Sequence, residues 1–293
     1  MDRLAFEDRA YIKSAHDSPG GRGINSSVVV HSFGGKTLAV LISGGDTGKR
    51  LEKLLGDFGF PIQVVPIARD IRTNLTITDR HGLTVNLNEI GPEISKAEVQ
   101  AVEQTVKKAL EKATWLLICG SIPPGVPHEL YGKLIAMARR KKVKSLLHAD
   151  GPALREGIEA RPTVVTPNQK EAERLLGRTL LTRSQYLEAA EQIRTMGAES
   201  VALSLGSRGA VGAWAGGLIE ALPPRVDVLC PIGAGDAMGA AYAWALEQKD
   251  DPADALRWGV AAGTASARLA GMNFATLEQT RDMYRQVEMR RVE

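Results

Sequence analysis

Apolar residues recur along this chain in two alternating rhythms, and the alternation predicts the fold class. Trp115-Leu116-Leu117-Ile118-Cys119 is an unbroken apolar run ended by Gly120, the pattern of a buried strand. Val143 to Ala149, Thr163-Val164-Val165-Thr166 and Val201-Ala202-Leu203-Ser204-Leu205 repeat it. Between these runs the period lengthens to that of a helix. Ser95 followed by Glu98 is a capping box, after which Val99, Val102, Val106 and Leu110 share one helical face. Thr182 and Gln185 open a second helix through Leu187, Ala190 and Ile193, with Gly197 as its stop. Pro127 to Lys142 is a third. Its basic end, Arg139-Arg140-Lys141-Lys142, reads as a solvated helix terminus facing the negative pole rather than as a nucleic-acid patch.

Strand and helix in alternation predict parallel strands covered by helices on both faces, a three-layer α/β/α architecture with a mostly parallel central sheet. From Ile71 to Leu87 the rhythm changes. Two arms of alternating apolar and polar residues, Arg72 to Thr78 and Leu83 to Leu87, flank Asp79-Arg80-His81-Gly82. That is a β-hairpin, and a polar-faced hairpin within a parallel α/β chain reads as a flap.

Composition narrows the function classes. The chain has 293 residues, 44% of them hydrophobic and 24% charged, which suits one large α/β domain and excludes wholesale disorder. With 37 Lys and Arg against 34 Asp and Glu the net charge is +3. That makes no strong electrostatic case for nucleic acid, while a pI near 8.8 leaves room for a local anion site. Cys119 and Cys230 offer no disulfide framework, no run approaches the ~18 apolar residues of a membrane span, and Met1-Asp2-Arg3-Leu4 lacks an apolar signal core. The expectation is a cytoplasmic protein without membrane contact.

Four segments carry candidate chemistry. Gly233-Ala234-Gly235-Asp236 leads into Ala237-Met238-Gly239-Ala240-Ala241. Small residues allow a sharp turn, and the free N–H groups of the helix that follows suit a phosphate. Asp236, in the first turn, is placed to accept a proton from an attacking hydroxyl; an acidic residue in an ordinary Gly-rich helix start is the plainer alternative. Gly20-Gly21-Arg22-Gly23-Ile24-Asn25 is a second glycine-rich loop, where the backbone can approach a ligand and Asn25 can serve hydroxyls. Neither the Walker pattern nor a dinucleotide fingerprint is present. Pro167-Asn168-Gln169-Lys170-Glu171 follows a strand and opens a helix, so Asn168 and Glu171 suit hydrated Mg²⁺ or, equally, a helix cap. Ser204-Leu205-Gly206-Ser207-Arg208-Gly209 joins two strands and suits a nucleotide or a plain turn.

In this order the segments resemble the PfkB (ribokinase-like) family of sugar kinases, whose signatures are GGxGxN and GAGD. Gly44-Gly45-Asp46-Thr47-Gly48 also fits, and the resemblance covers nearly the whole chain. Arg72-Thr73-Asn74-Leu75, Asn88 to Ser95 and Gly120-Ser121-Ile122-Pro123-Pro124-Gly125 are similar to the phosphosugar branch: 1-phosphofructokinase, tagatose-6-phosphate kinase and the minor 6-phosphofructokinase. The resemblance implies a single kinase domain over 1–293 that uses ATP and Mg²⁺ and phosphorylates fructose 1-phosphate, fructose 6-phosphate or tagatose 6-phosphate. Asp236 would be the general base, and the N–H groups of Gly233, Ala234 and Gly235 the anion hole. Asp2, Gly20, Gly21 and Asn25 would hold the sugar, and Arg22, Arg72 and Ser121 its phosphate. Asn168, Ser204, Gly206 and Gly209 would line the nucleotide site, with Glu171 acting on the metal through water. A lid from about 3–20 and 70–92 would close over the sugar and join two subunits as a homodimer.

Three departures from the family pattern stand out. Relatives open on an apolar strand ending in N-P-x-x-D, of which only Asp2 has a counterpart here, so an open sheet edge is expected. Cys230-Pro231-Ile232 replaces hydroxyl residues before GAGD, and Pro231 contributes no N–H. His148-Ala149-Asp150-Gly151 stands where relatives have D-[ST]-S-G. These motivate two alternatives: an impaired relative that binds sugar phosphate or nucleotide, or a kinase for an unphosphorylated sugar or nucleoside.

Overall fold

The computed structural model describes residues 9–80 and 84–292. Asp2, His81 and Gly82 of the expected hairpin turn, and Leu83 of its second arm lie outside the described residues. Residues 9–20 carry no helix or strand, so among the described residues the hairpin alone supplies regular structure to the expected lid. No helix of the described chain is long and apolar enough to cross a membrane.

The GGRGIN loop runs into α1 (Arg22–Ser32), which starts from Gly21 at φ 121°. A parallel pair follows, β1 (Ala39–Ser43) and β2 (Ile62–Pro66), joined through α2 (Gly45–Leu55). The hairpin appears as β3 (Asn74–Thr78) and β4 (Thr84–Asn88), in register from Asn74↔Asn88 to Thr78↔Thr84. Its alternation places Leu75 opposite Leu87 and Ile77 opposite Val85 on one face.

The strand–helix alternation then runs as expected. The elements are α3 (Lys96–Ala109), β5 (Trp115–Cys119), α4 (Leu130–Arg140), β6 (Lys144–His148), α5 (Gly151–Glu159), β7 (Val164–Val165), α6 (Gln169–Leu176), α7 (Arg183–Thr195) and β8 (Ser200–Ser204). The capping boxes read at Ser95/Glu98 and Thr182/Gln185 are formed. Strands β5 to β8 are parallel, each crossover being made by helix. Beyond β8 the next two links are too short for a crossover, and there the sheet turns antiparallel. It continues through β9 (Ala210–Trp214) and β10 (Gly217–Leu222), linked by the two residues Ala215-Gly216. After α8 (Ala234–Lys249), α9 (Pro252–Ala267) and α10 (Leu277–Tyr284), β11 (Glu288–Arg291) closes the far edge.

The seven-stranded order is β11-β10-β9-β8-β7-β6-β5, and β1–β2 form a separate sheet. Strand β5 is therefore an edge. Only Ile118 in it is fully buried, whereas Leu146 and Leu147 of β6 and both residues of β7 are at most 1% exposed. The run 115–119 is thus a strand, but not one buried on both faces as its apolar character suggested.

The core sits on both sides of the seven-stranded sheet. One side holds Ile135, Leu147, Leu154, Ile193 and Leu203; the other packs Leu146, Val164 and Ala202 against Tyr242, Leu256 and their neighbours on α8 and α9. Each such side chain, taken fully out of water, contributes roughly 1.5–3 kcal/mol. From Ala237 to Leu246 helix α8 is apolar all round, and apart from half-buried Trp244 that stretch is buried. That placement fixes its N-terminus rigidly at the carboxyl ends of the parallel strands.

Candidate active site

The candidate residues converge where open α/β sheets commonly bind ligands, outside the carboxyl ends of parallel strands. Cys119, His148 and Ser204 are the last residues of β5, β6 and β8, and Asn168 follows β7 to cap α6. Above them stand the N-termini of α1 and α8.

The two glycine-rich signatures meet through their helices. Val29 of α1 and Phe33 just after it pack on Ala237, Ala240 and Ala241 of α8, whose small side chains allow close approach. At the start of α8, Gly233 has φ 80°, and a Cβ there would lie 2.8 Å from the Phe274 ring. Both the conformation and the space require glycine. Asn25, 4% exposed, donates from Nδ2 to Asp236 Oδ2 at 2.7 Å. The residue expected to serve substrate hydroxyls therefore also holds the expected base. On the other side, His148 Nδ1 lies 3.4 Å from Asp236 Oδ1.

Burial governs the protonation states here. Asp236 is 6% exposed, and desolvation pushes its carboxyl up to about 6, with the Asn25 hydrogen bond and the Arg22 charge opposing. Burial, and then the nearby Arg22 charge, holds His148 down to about 3, so the imidazole is neutral at neutral pH. The Cys119 thiol is pushed up to about 12, first by burial and then by Asp236, and is inert. A desolvated carboxylate with a pKa near 6 is ionised at neutral pH and is well matched to accepting a proton.

One N–H of the expected anion hole is committed elsewhere. Ala234 N–H donates to Pro231 O at 3.3 Å. Arg22, expected on the sugar phosphate, reaches Glu171 instead, with Nη2 to Oε1 at 2.9 Å. Its Nη1 is buried with no hydrogen-bond partner among the described residues. Glu171 is further engaged: Oε2 accepts from Asn168 N–H at 2.9 Å, while Asn168 Oδ1 accepts from Glu171 N–H at 2.9 Å. The helix-cap reading of this segment is thus realised. Asn168 also bridges to Ser204, and the turn closes through Leu205 N–H to Gly209 O at 2.8 Å and Gly209 N–H to Gly206 O at 3.0 Å.

Arg72 and Ser121 are brought together, with Nη1 donating to Oγ at 3.0 Å. The Gly44–Gly48 segment positions them. Thr47 donates from N to Asp70 Oδ1 at 3.1 Å and from Oγ1 to Ile71 O at 2.9 Å, anchoring the residues just before Arg72 to the start of α2. The Thr47 N–H also holds the Asp70 carboxyl below its usual range.

Among the described residues no group of three or more His, Cys, Asp or Glu forms a metal-ligand set. Asp150 does not replace the carboxylate absent at 148: it caps α5 and accepts from Arg174 at 2.6 Å. Glu171 remains, and one carboxylate with water in between suits Mg²⁺, which keeps much of its hydration shell. The sequence reading missed the approach of His148 to Asp236 and that of Phe274 to Gly233. For His148, the substitution at the end of β6 was the available signal.

The pfkB family carbohydrate kinase model matches residues 1–279. The chain is 32% identical over 269 residues to ATP-dependent 6-phosphofructokinase isozyme 2 of Escherichia coli, covering 91% of this chain and 87% of that protein. It is 34% identical over 251 residues to the isozyme 2 of Mycobacterium tuberculosis, covering 84% and 73%. The crystal structure of phosphofructokinase-2 from Escherichia coli in complex with potassium superposes with a TM-score of 0.90 at 30% identity, over 97% of this chain and 93% of that one. The chain belongs to the pfkB family of carbohydrate kinases.

Proposed function

We propose that this protein transfers the γ-phosphoryl group of ATP to a hydroxyl of a ketohexose phosphate, with 1–293 acting as one kinase domain. The observation that carries the reading is the buried Asp236 in the first turn of α8, oriented by Asn25 and raised in pKa by desolvation. Asp236 takes the proton of the acceptor hydroxyl as the oxygen attacks. The N–H groups of Gly233 and Gly235, at the positive end of α8, face the charge that grows on the transferred group, and Ala234 joins them when its contact with Pro231 O opens. Arg72, Ser121 and the unpaired Nη1 of Arg22 provide donors for the phosphate of the acceptor. Gly20 and Gly21 let the backbone close on the sugar, beside a cavity of about 240 Å³ lined by Asn25, Ser18, Asn273 and Phe274. Asp2 is assigned to the sugar by sequence pattern. The turn Ser204 to Gly209 and Asn168 line the nucleotide side. Bound Mg²⁺ supplies charge neutralisation at the nucleotide phosphates, and Glu171 is the residue that would hold its water.

The hairpin serves as lid and as subunit contact. Leu75 and Leu87 are 54% and 51% exposed on its apolar face, and a second copy covers them. A Leu75→Asp change is expected to turn a dimer into a monomer by light scattering; an unchanged mass rules the contact out. The substrate assignment is tested by ADP release with ATP, Mg²⁺ and fructose 6-phosphate, fructose 1-phosphate or tagatose 6-phosphate. Turnover with one of them, and none with the unphosphorylated sugars, is expected. Faster turnover of an unphosphorylated sugar or a nucleoside contradicts it.

A further inference from the structure

His148 is a buried ionisable group that has no part in the mechanism proposed above. Its ring ends β6 at the carboxyl edge of the sheet, 6% exposed, with Nδ1 3.4 Å from Asp236 Oδ1 and Cε1 3.7 Å from where a Gly235 side chain would begin. The other carboxylate oxygen, Oδ2, receives Asn25 Nδ2 at 2.7 Å. Two groups from elements far apart in sequence therefore bracket the two oxygens of one carboxylate. We infer that His148 is a positioning residue for Asp236: it is neutral, carries its proton on Nδ1, and donates to Oδ1, so that Asn25 and His148 together set the plane of the carboxylate.

Three physical points favour this role. A carboxylate at position 148 would put a second negative charge against Asp236 in a desolvated site, where like charges are costly. A neutral imidazole adds a donor without adding a charge. Each carboxylate oxygen has two lone pairs, so one donor per oxygen leaves a lone pair for the acceptor hydroxyl. The charged and titratable groups facing Asp236 from other elements are Arg22 on α1, Glu171 on α6 and Cys119 on β5. Arg22 favours the ionised base, and Glu171 opposes it.

The inference rests on Asp236 being the base, and the tests separate the two claims. The assay uses the full chain with ATP, Mg²⁺ and fructose 6-phosphate across pH. His148→Leu, which fills similar space without a donor, should lower kcat about tenfold, the effect of one weak charge-assisted hydrogen bond. The KM for fructose 6-phosphate should stay within about twofold, and the acid limb should move to higher pH because the carboxylate has lost a donor. His148→Asn, whose amide nitrogen falls near Nδ1, should recover most of the loss, and His148→Gln, which aims nearer Nε2, should not. If the leucine variant does not fold, the Asn and Gln pair still decides. Wild-type kcat and acid limb in the leucine or Gln variant overturn the inference, as does an Asn variant no better than either. If Asp236→Asn remains active, the base assignment itself fails whatever the 148 variants do. A readout independent of turnover is the ¹⁵N spectrum of His148. A neutral ring protonated on Nδ1 from pH 5 to 8 is expected; an Nε2–H tautomer, or protonation in that range, overturns the inference.

Discussion

Helices α6 and α8 each carry a carboxylate at their third residue, Glu171 and Asp236, and both side chains are buried, at 1% and 6% exposed. The residue that caps each helix sets them apart. Asn168 caps α6 with a side chain, and Glu171 has the length to reach back and complete the reciprocal box, then spends its second oxygen on Arg22. Gly233 caps α8 with no side chain, and Asp236 is one methylene shorter. Its carboxylate is left to tertiary partners, Asn25 and His148, and keeps a lone pair for chemistry. Of these two acidic residues, one is thus tied into its helix cap and the other is left to tertiary partners, according to the residue three positions before it.

The largest break in this comparison comes from Asp236→Asn. Loss of a general base should lower kcat by about 10²- to 10⁴-fold, read by coupled ADP release, and retention of more than a tenth of the activity would sink the assignment.

The same substitution should stabilise the fold. Because burial raises the Asp236 carboxyl to about 6, the folded protein binds its proton more tightly than the unfolded chain does. The ionised side chain therefore costs stability as pH rises from about 4 through 6, reaching roughly 3 kcal/mol above that range. Urea midpoints should show Asp236→Asn more stable than wild type at pH 7.5 and equal to it near pH 4.

At the other helix the sign reverses. Glu171→Ala removes a cap and strands the half-buried Arg22, a loss of about 2 kcal/mol that urea unfolding would register. A neutral or stabilising result would show that Glu171 is not an anchor. The smallest expected effect sharpens the contrast from the substrate side. Arg72→Ala should raise the KM for the sugar phosphate about tenfold, the contribution of one charge-assisted contact, with kcat little changed. A fall in kcat alone would place Arg72 with the reacting groups.

Local pattern made much of this legible. The apolar run 115–119, the capping boxes at Ser95 and Thr182, and the described part of the hairpin arms appear where short-range periodicity and cap chemistry placed them, while at Asn168 the cap was one of two readings the segment allowed. The antiparallel pairing of β8, β9 and β10 was not read, because its direction follows from the short link after β8 and from Ala215-Gly216 rather than from strand composition. The edge character of β5 depends on which strands pair, which an apolar run does not encode. At the site, GGRGIN and GAGD were recognisable as loops, but their partnership was not. Asn25 reaches Asp236 across 211 residues and Arg22 reaches Glu171 across 149. Such choices are made by where the start of α1 meets the starts of α8 and α6, and no local rule reports them.

The central claim is that Asp236 is a desolvated base freed by a side-chain-less cap. The pH dependence of kcat/KM for the sugar phosphate, at saturating ATP and Mg²⁺, tests it most directly. A single acid limb centred near pH 6 in the wild type, and loss of activity at every pH in Asp236→Asn, is the predicted result. A profile flat from pH 5 to 8, or a limb that persists in the Asn variant, would contradict it.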